Sequence, residues 1–146
     1  MATLSVVIKE ELSLNGEEYG NVNTAEYTVN EVYSRVMQLA GTTEATVLLF
    51  SSGAEAGALK NTELMYLRIT NLSPTLNVIL RIADAAQEYA VHLEPNSSYL
   101  LSKDTLDAND NVAASGLAVI ALAQITTIKA VASGAAGAQI EIFAAS

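Results

Sequence analysis

The sequence predicts an all-β protein, a single antiparallel β-sandwich of jelly-roll type that spans residues 1–146. Along most of the chain, apolar and polar residues alternate with a period of two, as they do in strands with one buried face. Turn signals rich in Gly, Asn and Ser separate these runs at short intervals, and no regular series of helical patterns alternates with them. A length of 146 residues with 51% apolar residues is sufficient for one core without disulfides.

The first predicted strand covers residues 4–14. Its apolar side chains share one face: Leu4, Val6, Ile8, Leu12 and Leu14. Asn15 and Gly16 follow, and this pair favours the positive φ angles of a two-residue hairpin turn. A strand of this length and regularity must be covered by its own sheet or by another chain, because an exposed strand promotes aggregation.

Two segments leave the choice between strand and helix open. Residues 30–41 can form a helix with Val32, Val36 and Leu39 on one stripe and Gly41 beyond its end. They can also form the end of a strand in which Tyr33, Met37 and Leu39 continue an alternation that begins at Tyr27 and Val29, and we favour the strand. Residues 116–124 are apolar throughout, so periodicity does not distinguish a buried strand from a short helix there.

The middle and the end of the chain predict further strands. The buried positions that we expect are Met65, Leu67, Ile69, Leu76, Val78, Leu80, Ile82, Tyr89, Val91 and Leu93. A short strand at residues 99–102 follows the turn at 94–98. The last two strands, 128–132 and 138–142, are predicted to form a hairpin through the turn at 133–137, so that the final strand closes a sheet or pairs with a neighbouring subunit.

Charge and composition exclude several classes of function. The net charge of −9, with only seven Lys and Arg residues, argues against binding to nucleic acid, which needs clustered cations. Lys9, Glu10 and Glu11 interrupt the amino terminus where a signal peptide would be apolar. The longest uncharged stretch, residues 111–128, contains several polar residues, so we expect it inside the domain and not in a bilayer. We therefore expect a protein made in a cytoplasm, with no membrane partner.

The candidate metal ligands are few. His92 is the only histidine, and alternation assigns it to the solvent face of its strand together with Glu88, Ala90 and Glu94. A second group of oxygen ligands lies in the acidic loop: Asp104, Asp107, Asn109, Asp110 and Asn111. This loop lacks the glycine and the final glutamate of an EF-hand loop, so the sequence predicts a solvated turn and no metal site.

The candidate catalytic patterns are also weak. The segment "SGAAGA" at 133–138 lacks the G-x-G-x-x-G spacing and the following helix of a phosphate-binding loop, so we interpret it as a hairpin turn. The adjacent carboxylates Glu10 with Glu11 and Glu17 with Glu18 point to opposite faces of a strand and cannot share a proton. The sequence therefore predicts a protein that is not an enzyme and that has no catalytic, cofactor or metal site.

Four phrases carry a family resemblance. They are "NVNTAEYTVNEVYSRVMQLAGTTEATVLLF", "MYLRITNLSPTLNVILRI", "EYAVHLEPNSSYLLS" and "ITTIKAVASGAAGAQIEIF". In this order they resemble the small β-sandwich virion proteins of tailed bacteriophages, over most of residues 22–144. Each phrase is a strand pattern and none is a catalytic signature.

The resemblance implies a structural role in the virion. The foremost expectation is a capsid decoration (cement) protein, made in the host bacterial cytoplasm, that binds the major capsid protein or another virion protein. A neck or tail component is the alternative. The resemblance also implies a homo-oligomer, a trimer above all. The sequence itself offers two candidate interfaces, the regular apolar edge of residues 4–14 and the apolar, weakly charged residues 112–128.

A stand-alone carbohydrate-binding module is the function from a different class. Such modules expose aromatic platforms, for which the tyrosines are the candidates: Tyr19, Tyr27, Tyr33, Tyr66, Tyr89 and Tyr99. Most of them alternate with predicted core residues, which weakens this interpretation.

Overall fold

The computed structural model describes residues 1–53, 55–85, 88–102 and 125–146. This part of the chain contains thirteen strands and no helix. The strands are β1 Ala2–Lys9, β2 Leu12–Leu14, β3 Glu17–Tyr19, β4 Val22–Val29, β5 Val32–Leu39, β6 Ala45–Ser51, β7 Leu59–Lys60, β8 Tyr66–Asn71, β9 Val78–Ala83, β10 Glu88–Leu93, β11 Ser98–Ser102, β12 Thr127–Ala132 and β13 Ala138–Ala145. The predicted all-β class is confirmed.

Two larger sheets form the body of the protein. One has five strands in the order β10-β9-β12-β6-β7, and the other has four strands in the order β11-β8-β13-β5. Within both sheets the pairs are antiparallel, except that β7 pairs with β6 in parallel. Several antiparallel sheets, as predicted from the alternation, therefore account for this part of the chain.

One hydrophobic core lies between the two sheets. Its fully buried side chains come from both: Leu39, Leu67, Ile69, Val78, Leu80, Ile82, Ile125, Ile128, Ile140 and Ile142. The alternation along β9 and β13 puts every second residue into this core, as the sequence predicted. Each such Leu or Ile stabilises the fold by roughly 1.5–3 kcal/mol relative to an exposed position.

The predicted hairpin of the last two strands is wrong. β12 lies between β9 and β6 in the five-stranded sheet, whereas β13 lies between β8 and β5 in the four-stranded sheet. The turn at 133–137 therefore crosses from one sheet to the other, and both strands direct their apolar faces into the same core. Since β13 is paired on both sides, the last strand does not close a sheet edge.

Residues 30–41 form the strand that we favoured, and the helical alternative is wrong. β5 pairs with β13 along its whole length, and Tyr33, Met37 and Leu39 pack against the core. This strand is separate from β4, however, because the N–H groups of Asn30 and Glu31 both donate to the carbonyl of Ser146 at 2.6 and 2.8 Å. Residues 116–124 lie outside the described residues.

Residues 2–29 form one long hairpin, which we call the ribbon. β1 pairs with β4 and β2 with β3 in a single continuous register around the turn at Asn15 and Gly16. Both turn residues have positive φ, 54° and 85°, so the predicted turn is confirmed. The ladder is interrupted at Glu10 and Glu11, which lie opposite Asn21 and Gly20, and a Cβ added to Gly20 would lie 2.1 Å from the Glu10 carbonyl oxygen. Only glycine fits this close approach.

A tyrosine pair joins the two sheets at one edge. The hydroxyls of Tyr89 on β10 and Tyr99 on β11 lie 2.8 Å apart, and either can donate the hydrogen bond. β10 belongs to the five-stranded sheet and β11 to the four-stranded sheet. Burial, followed by the hydrogen bond to Tyr89, raises the pKa of Tyr99 far above its ordinary value.

A buried amide ties the connections between the sheets together. Asn71 at the end of β8 is fully buried, and its Nδ2 donates to the carbonyls of Leu76 at 2.8 Å, Glu94 at 3.1 Å and Leu93 at 3.3 Å. Its Oδ1 accepts from the backbone N–H of Ser73 at 3.0 Å. One side chain thereby holds the turn before β9 and the end of β10.

We expect Asn71→Leu to lower the free energy of unfolding by about 2–4 kcal/mol, because several buried backbone groups lose their partner without access to water. Chemical denaturation followed by tyrosine fluorescence measures the change. Asn23→Ala, at an exposed position of the ribbon, is the control. An Asn71→Leu protein as stable as the control would show that these hydrogen bonds contribute nothing.

Alkaline pH should destabilise the protein through the tyrosines. The folded-state pKa of Tyr99 is raised, so its contribution is complete below the unfolded value near pH 10 and is lost as the pH rises further. Tyr99→Phe should reduce the fall in unfolding free energy between about pH 9 and 11 without abolishing it, because burial also raises the pKa of Tyr66. Denaturation midpoints across this range measure the slope, and an unchanged slope in Tyr99→Phe would contradict the assignment.

Candidate interaction surfaces

The base of the ribbon covers the outer face of the four-stranded sheet. The contact is a second apolar cluster of Val29, Tyr66 and Ala145, with Leu4, Val6, Tyr27, Met65 and Phe143 packed around it. The face of β1 that the sequence predicted to be apolar is the one that enters this cluster. The amino-terminal strand is therefore covered at its base by the protein's own sheet.

Aromatic rings connect the ribbon to the sheet. The ring of Tyr27 on β4 lies 6.3 Å from that of Tyr66 on β8, which meets Phe143 on β13 edge-on at 6.1 Å. The guanidinium of Arg68 lies 5.9 Å from the Phe143 ring centre and donates to Glu141 at 2.6 Å. Such ring pairs add roughly 0.5–1.5 kcal/mol each to the burial of their apolar area.

The tip of the ribbon, residues 10–21, carries apolar side chains that the described part of the protein does not cover. Leu12, Leu14 and Tyr19 are 54%, 53% and 54% exposed. By register they continue the face that carries Leu4 and Val6 at the base. One apolar face of the ribbon is therefore packed against the sheet at the base and exposed at the tip.

The same tip is acidic. It carries Glu10, Glu11, Glu17 and Glu18, of which Glu11 forms an exposed ion pair with Lys9 at 2.5 Å. The pairing of Leu14 with Glu17 and of Ser13 with Glu18 directs Glu17 to the apolar face and Glu18 to the opposite one. The apolar face of the tip thus presents a carboxylate beside Leu14.

An apolar cleft of about 380 Å³ lies beside strands β5 and β6. Tyr33, Thr46, Leu48, Leu49 and Leu59 contribute to its walls, and Arg35 lines it as its one charged side chain. β5 is an edge strand of its sheet, so the cleft faces the outside of the molecule.

Arg35 is unusual among the basic side chains that the structure describes. Every other described Lys or Arg lies within ion-pair distance of a carboxylate: Lys9, Lys60, Arg68, Arg81 and Lys129. Arg35 forms no such pair with the described residues. Arg35 is exposed beside the apolar walls of the cleft, and a guanidinium without a carboxylate partner among the described residues favours an anionic partner.

The sequence candidates for chemistry do not assemble into a site among the described residues. His92 lies on the exposed face of β10, as predicted, and within the described ranges no group of three or more potential metal ligands surrounds it. Glu10, Glu11, Glu17 and Glu18 lie at the ribbon tip, on alternating faces. The segment 133–138 forms the turn between the two sheets and not a hairpin. The acidic loop with Asp104, Asp107, Asn109, Asp110 and Asn111 lies outside the described residues.

Of the two candidate interfaces predicted from the sequence, one is partly buried in the protein's own core and the other is partly exposed. Of residues 112–128, only 125–128 are described, and Ile125 and Ile128 are fully buried in the protein's own core. These two residues are therefore not available to a second subunit, which corrects that part of the expectation. The ribbon tip is available, because its apolar side chains are exposed.

Of the six tyrosines, Tyr19 is the exposed one. Tyr66 is buried, and Tyr27, Tyr33, Tyr89 and Tyr99 are half-buried in the two apolar clusters. A flat aromatic platform of several rings is therefore absent from the residues in the described ranges.

No protein-family model, curated protein or solved structure matches this chain. In the described part of the chain, no helix is long and apolar enough to cross a membrane.

Arg35 and its cleft were missed by the sequence analysis. The signal was weak, since one arginine interrupts the otherwise uncharged segment of β5, and its cleft depends on β6 and β7 from elsewhere in the chain. The ribbon tip had a stronger signal, because Leu12 and Leu14 continue the alternation of β1 across the charged pair at Glu10 and Glu11.

Tyr27→Ala should loosen the ribbon while the sheets stay folded, because this ring joins the ribbon to Tyr66. Amide hydrogen exchange in β1 and β4 should become about 10–100-fold faster, the equivalent of roughly 1.5–3 kcal/mol. Exchange in β9 and β12 should stay slow. Tyr19→Ala at the exposed tip is the control, and a uniform acceleration across both sheets would contradict a separately opening ribbon.

Proposed function

We propose that this protein is a structural component of a bacteriophage virion, foremost a capsid decoration protein that acts through protein–protein contacts. The observation that carries the proposal is the ribbon, which is held to the body by aromatic packing at its base and ends in an uncovered apolar tip. Exposed apolar surface of this kind is typical of interaction sites. The four strand phrases that resemble phage virion proteins supply the class of particle.

The proposed body is a jelly roll. If β5, β6 and β8 to β13 are numbered one to eight, the four-stranded sheet follows the order 1-8-3-6 and the remainder of the other sheet follows 2-7-4-5. Every connection between consecutive strands in this numbering then passes between the sheets except that from β9 to β10, which are paired in one sheet, as in the double-sheet jelly rolls found in viral capsid and lectin domains. This order supports the predicted fold type, and β7 adds a short parallel strand at one edge.

The proposed partners are a second and third copy of this chain, as a homotrimer, and the major capsid protein or another virion protein. The net charge of −9 suits docking onto a basic protein surface, since complementary fields steer such encounters. The proposed location is the virion, after synthesis in the host bacterial cytoplasm. A neck or tail position, or a carbohydrate-binding role for which Tyr19 is the exposed aromatic residue, remains the alternative.

Two measurements test this proposal. Quantitative mass spectrometry of purified particles should find the protein at a copy number proportional to that of the major capsid protein. A few copies per particle would indicate the neck or tail instead, and absence from every particle fraction would overturn the virion role.

Light scattering tests the assembly of the isolated protein. At micromolar concentration we expect a mass three times the 15.3 kDa of one chain. A monomer across the accessible concentration range would contradict a constitutive trimer. Binding to a glycan array without association to particles would favour the carbohydrate-binding alternative.

A further inference from the structure

We propose that the ribbon tip of one subunit docks into the Arg35 cleft of a second copy of this chain, with Glu17 paired to Arg35. This inference rests on the proposed self-assembly and assigns the two surfaces that make the contact. It commits to a second copy because the two surfaces match each other in both polarity and charge.

The donor surface is the apolar face of the tip. Leu12, Leu14 and Tyr19 lie on this face by register, and each is more than half exposed. Glu17 pairs directly with Leu14, so its carboxylate lies on the same face. This face is continuous with the stripe of Leu4 and Val6, which already packs on the protein's own sheet, so the tip extends an existing interface beyond its own subunit.

The receiving surface is the cleft beside β5 and β6. Its walls are apolar at Tyr33, Leu49 and Leu59, and Leu49 is 47% exposed. Arg35 adds one positive charge, which no carboxylate of the described residues compensates. The cleft is therefore complementary to an apolar segment that carries one carboxylate. The ribbon tip is such a segment, because its apolar face also carries Glu17.

Charge decides which partner fits. The chain has sixteen acidic residues and seven basic ones, so most surfaces of this protein repel each other. Five of the six described Lys and Arg side chains are already paired within the subunit. Among the described residues, Arg35 is the cation left for an intersubunit pair, and such pairs determine register and orientation more than affinity.

The contact is heterologous, because the tip and the cleft are different surfaces of the subunit. Each copy can donate its tip and receive another, and the series ends when the rotation closes into a ring. A trimer is the ring that the proposed function expects. Extension of the sheet through the free edge of β5 is the competing arrangement, and it would give a two-fold symmetric dimer that does not need Glu17.

Charge reversal tests the pairing. Glu17→Arg and Arg35→Glu should each weaken association at least about tenfold in light scattering or sedimentation at low micromolar concentration, and the double variant should restore it. Glu18→Arg is the matched control, since it makes the same change of charge on the opposite face of the tip and should leave association as in the wild type.

Crosslinking tests proximity directly, because the chain has no cysteine. Leu14→Cys and Leu49→Cys chains, mixed and treated with a short bis-maleimide, should form a covalent dimer between the two variants. Ser13→Cys mixed with Leu49→Cys should not, since Ser13 faces the other way.

The outcomes separate this inference from the proposed function. If the wild type associates but Glu17→Arg and Glu18→Arg behave alike, or the double variant is not restored, the tip contact is overturned while self-assembly stands. If the wild type is monomeric and the Leu14→Cys and Leu49→Cys chains do not crosslink, the proposed docking of the tip into the cleft is also overturned. In both cases the copy number in purified particles decides the virion role independently.

Discussion

Strands β8 and β13 are buried on both faces at the end of the sheet where Tyr66 pairs with Ala145, and this double burial is the constraint on which the rest of the structure depends. On the inner face, Ile69 and Ile142 enter the core between the sheets. On the outer face, Tyr66 and Ala145 lie under the base of the ribbon. At this end the two strands carry apolar side chains on both faces and need a cover on each side, whereas Arg68, Thr70 and Glu141 farther along the outer face are polar and partly exposed. The ribbon is therefore part of the fold, although it lies outside the two larger sheets.

This constraint also explains which part of the ribbon is held in place by the two larger sheets. The base is held through Tyr27 and Val29, whereas the ladder breaks at Glu10, where the close approach of Gly20 permits a local change of direction. Beyond that point the ribbon keeps its own register through the Asn15–Gly16 turn. A two-stranded ribbon without a packed face is marginal in water, so a partner surface would stabilise the tip as well as being bound by it.

The local part of the fold was predictable from the sequence because the direction of a side chain in a strand depends only on its position. Alternation correctly identified the buried faces of β9 and β13 and the apolar face of the ribbon. Asn15 and Gly16 correctly predicted a turn, because few other residues adopt the positive φ angles that it requires. Pairing partners depend on distant segments. The turn at 133–137 has the composition of a hairpin turn, yet β12 and β13 lie in opposite sheets because both present an apolar face to one core.

The candidate site was harder to predict for the same reason. The exposed residues of the ribbon tip follow from a local pattern, but the significance of Arg35 depends on Leu49 of β6 and Leu59 of β7, which line the same cleft. It also depends on the finding that no carboxylate of the described residues lies within ion-pair distance of Arg35. Asn71 and the pair of Tyr89 and Tyr99 are likewise ordinary strand residues in the sequence. Their roles arise where two sheets or their connections meet.

The charge of the protein acts on assembly at two ranges. Each copy carries a net charge of −9, so two copies repel one another at long range, but at physiological ionic strength fields decay over about 8 Å. A contact pair between Glu17 and Arg35 inside an apolar cleft is screened much less than charges spread over the surface. Moderate salt therefore weakens the repulsion more than the attraction. In the proposed assembly, the long-range repulsion between acidic copies therefore acts against association, and the contact between Glu17 and Arg35 would direct it.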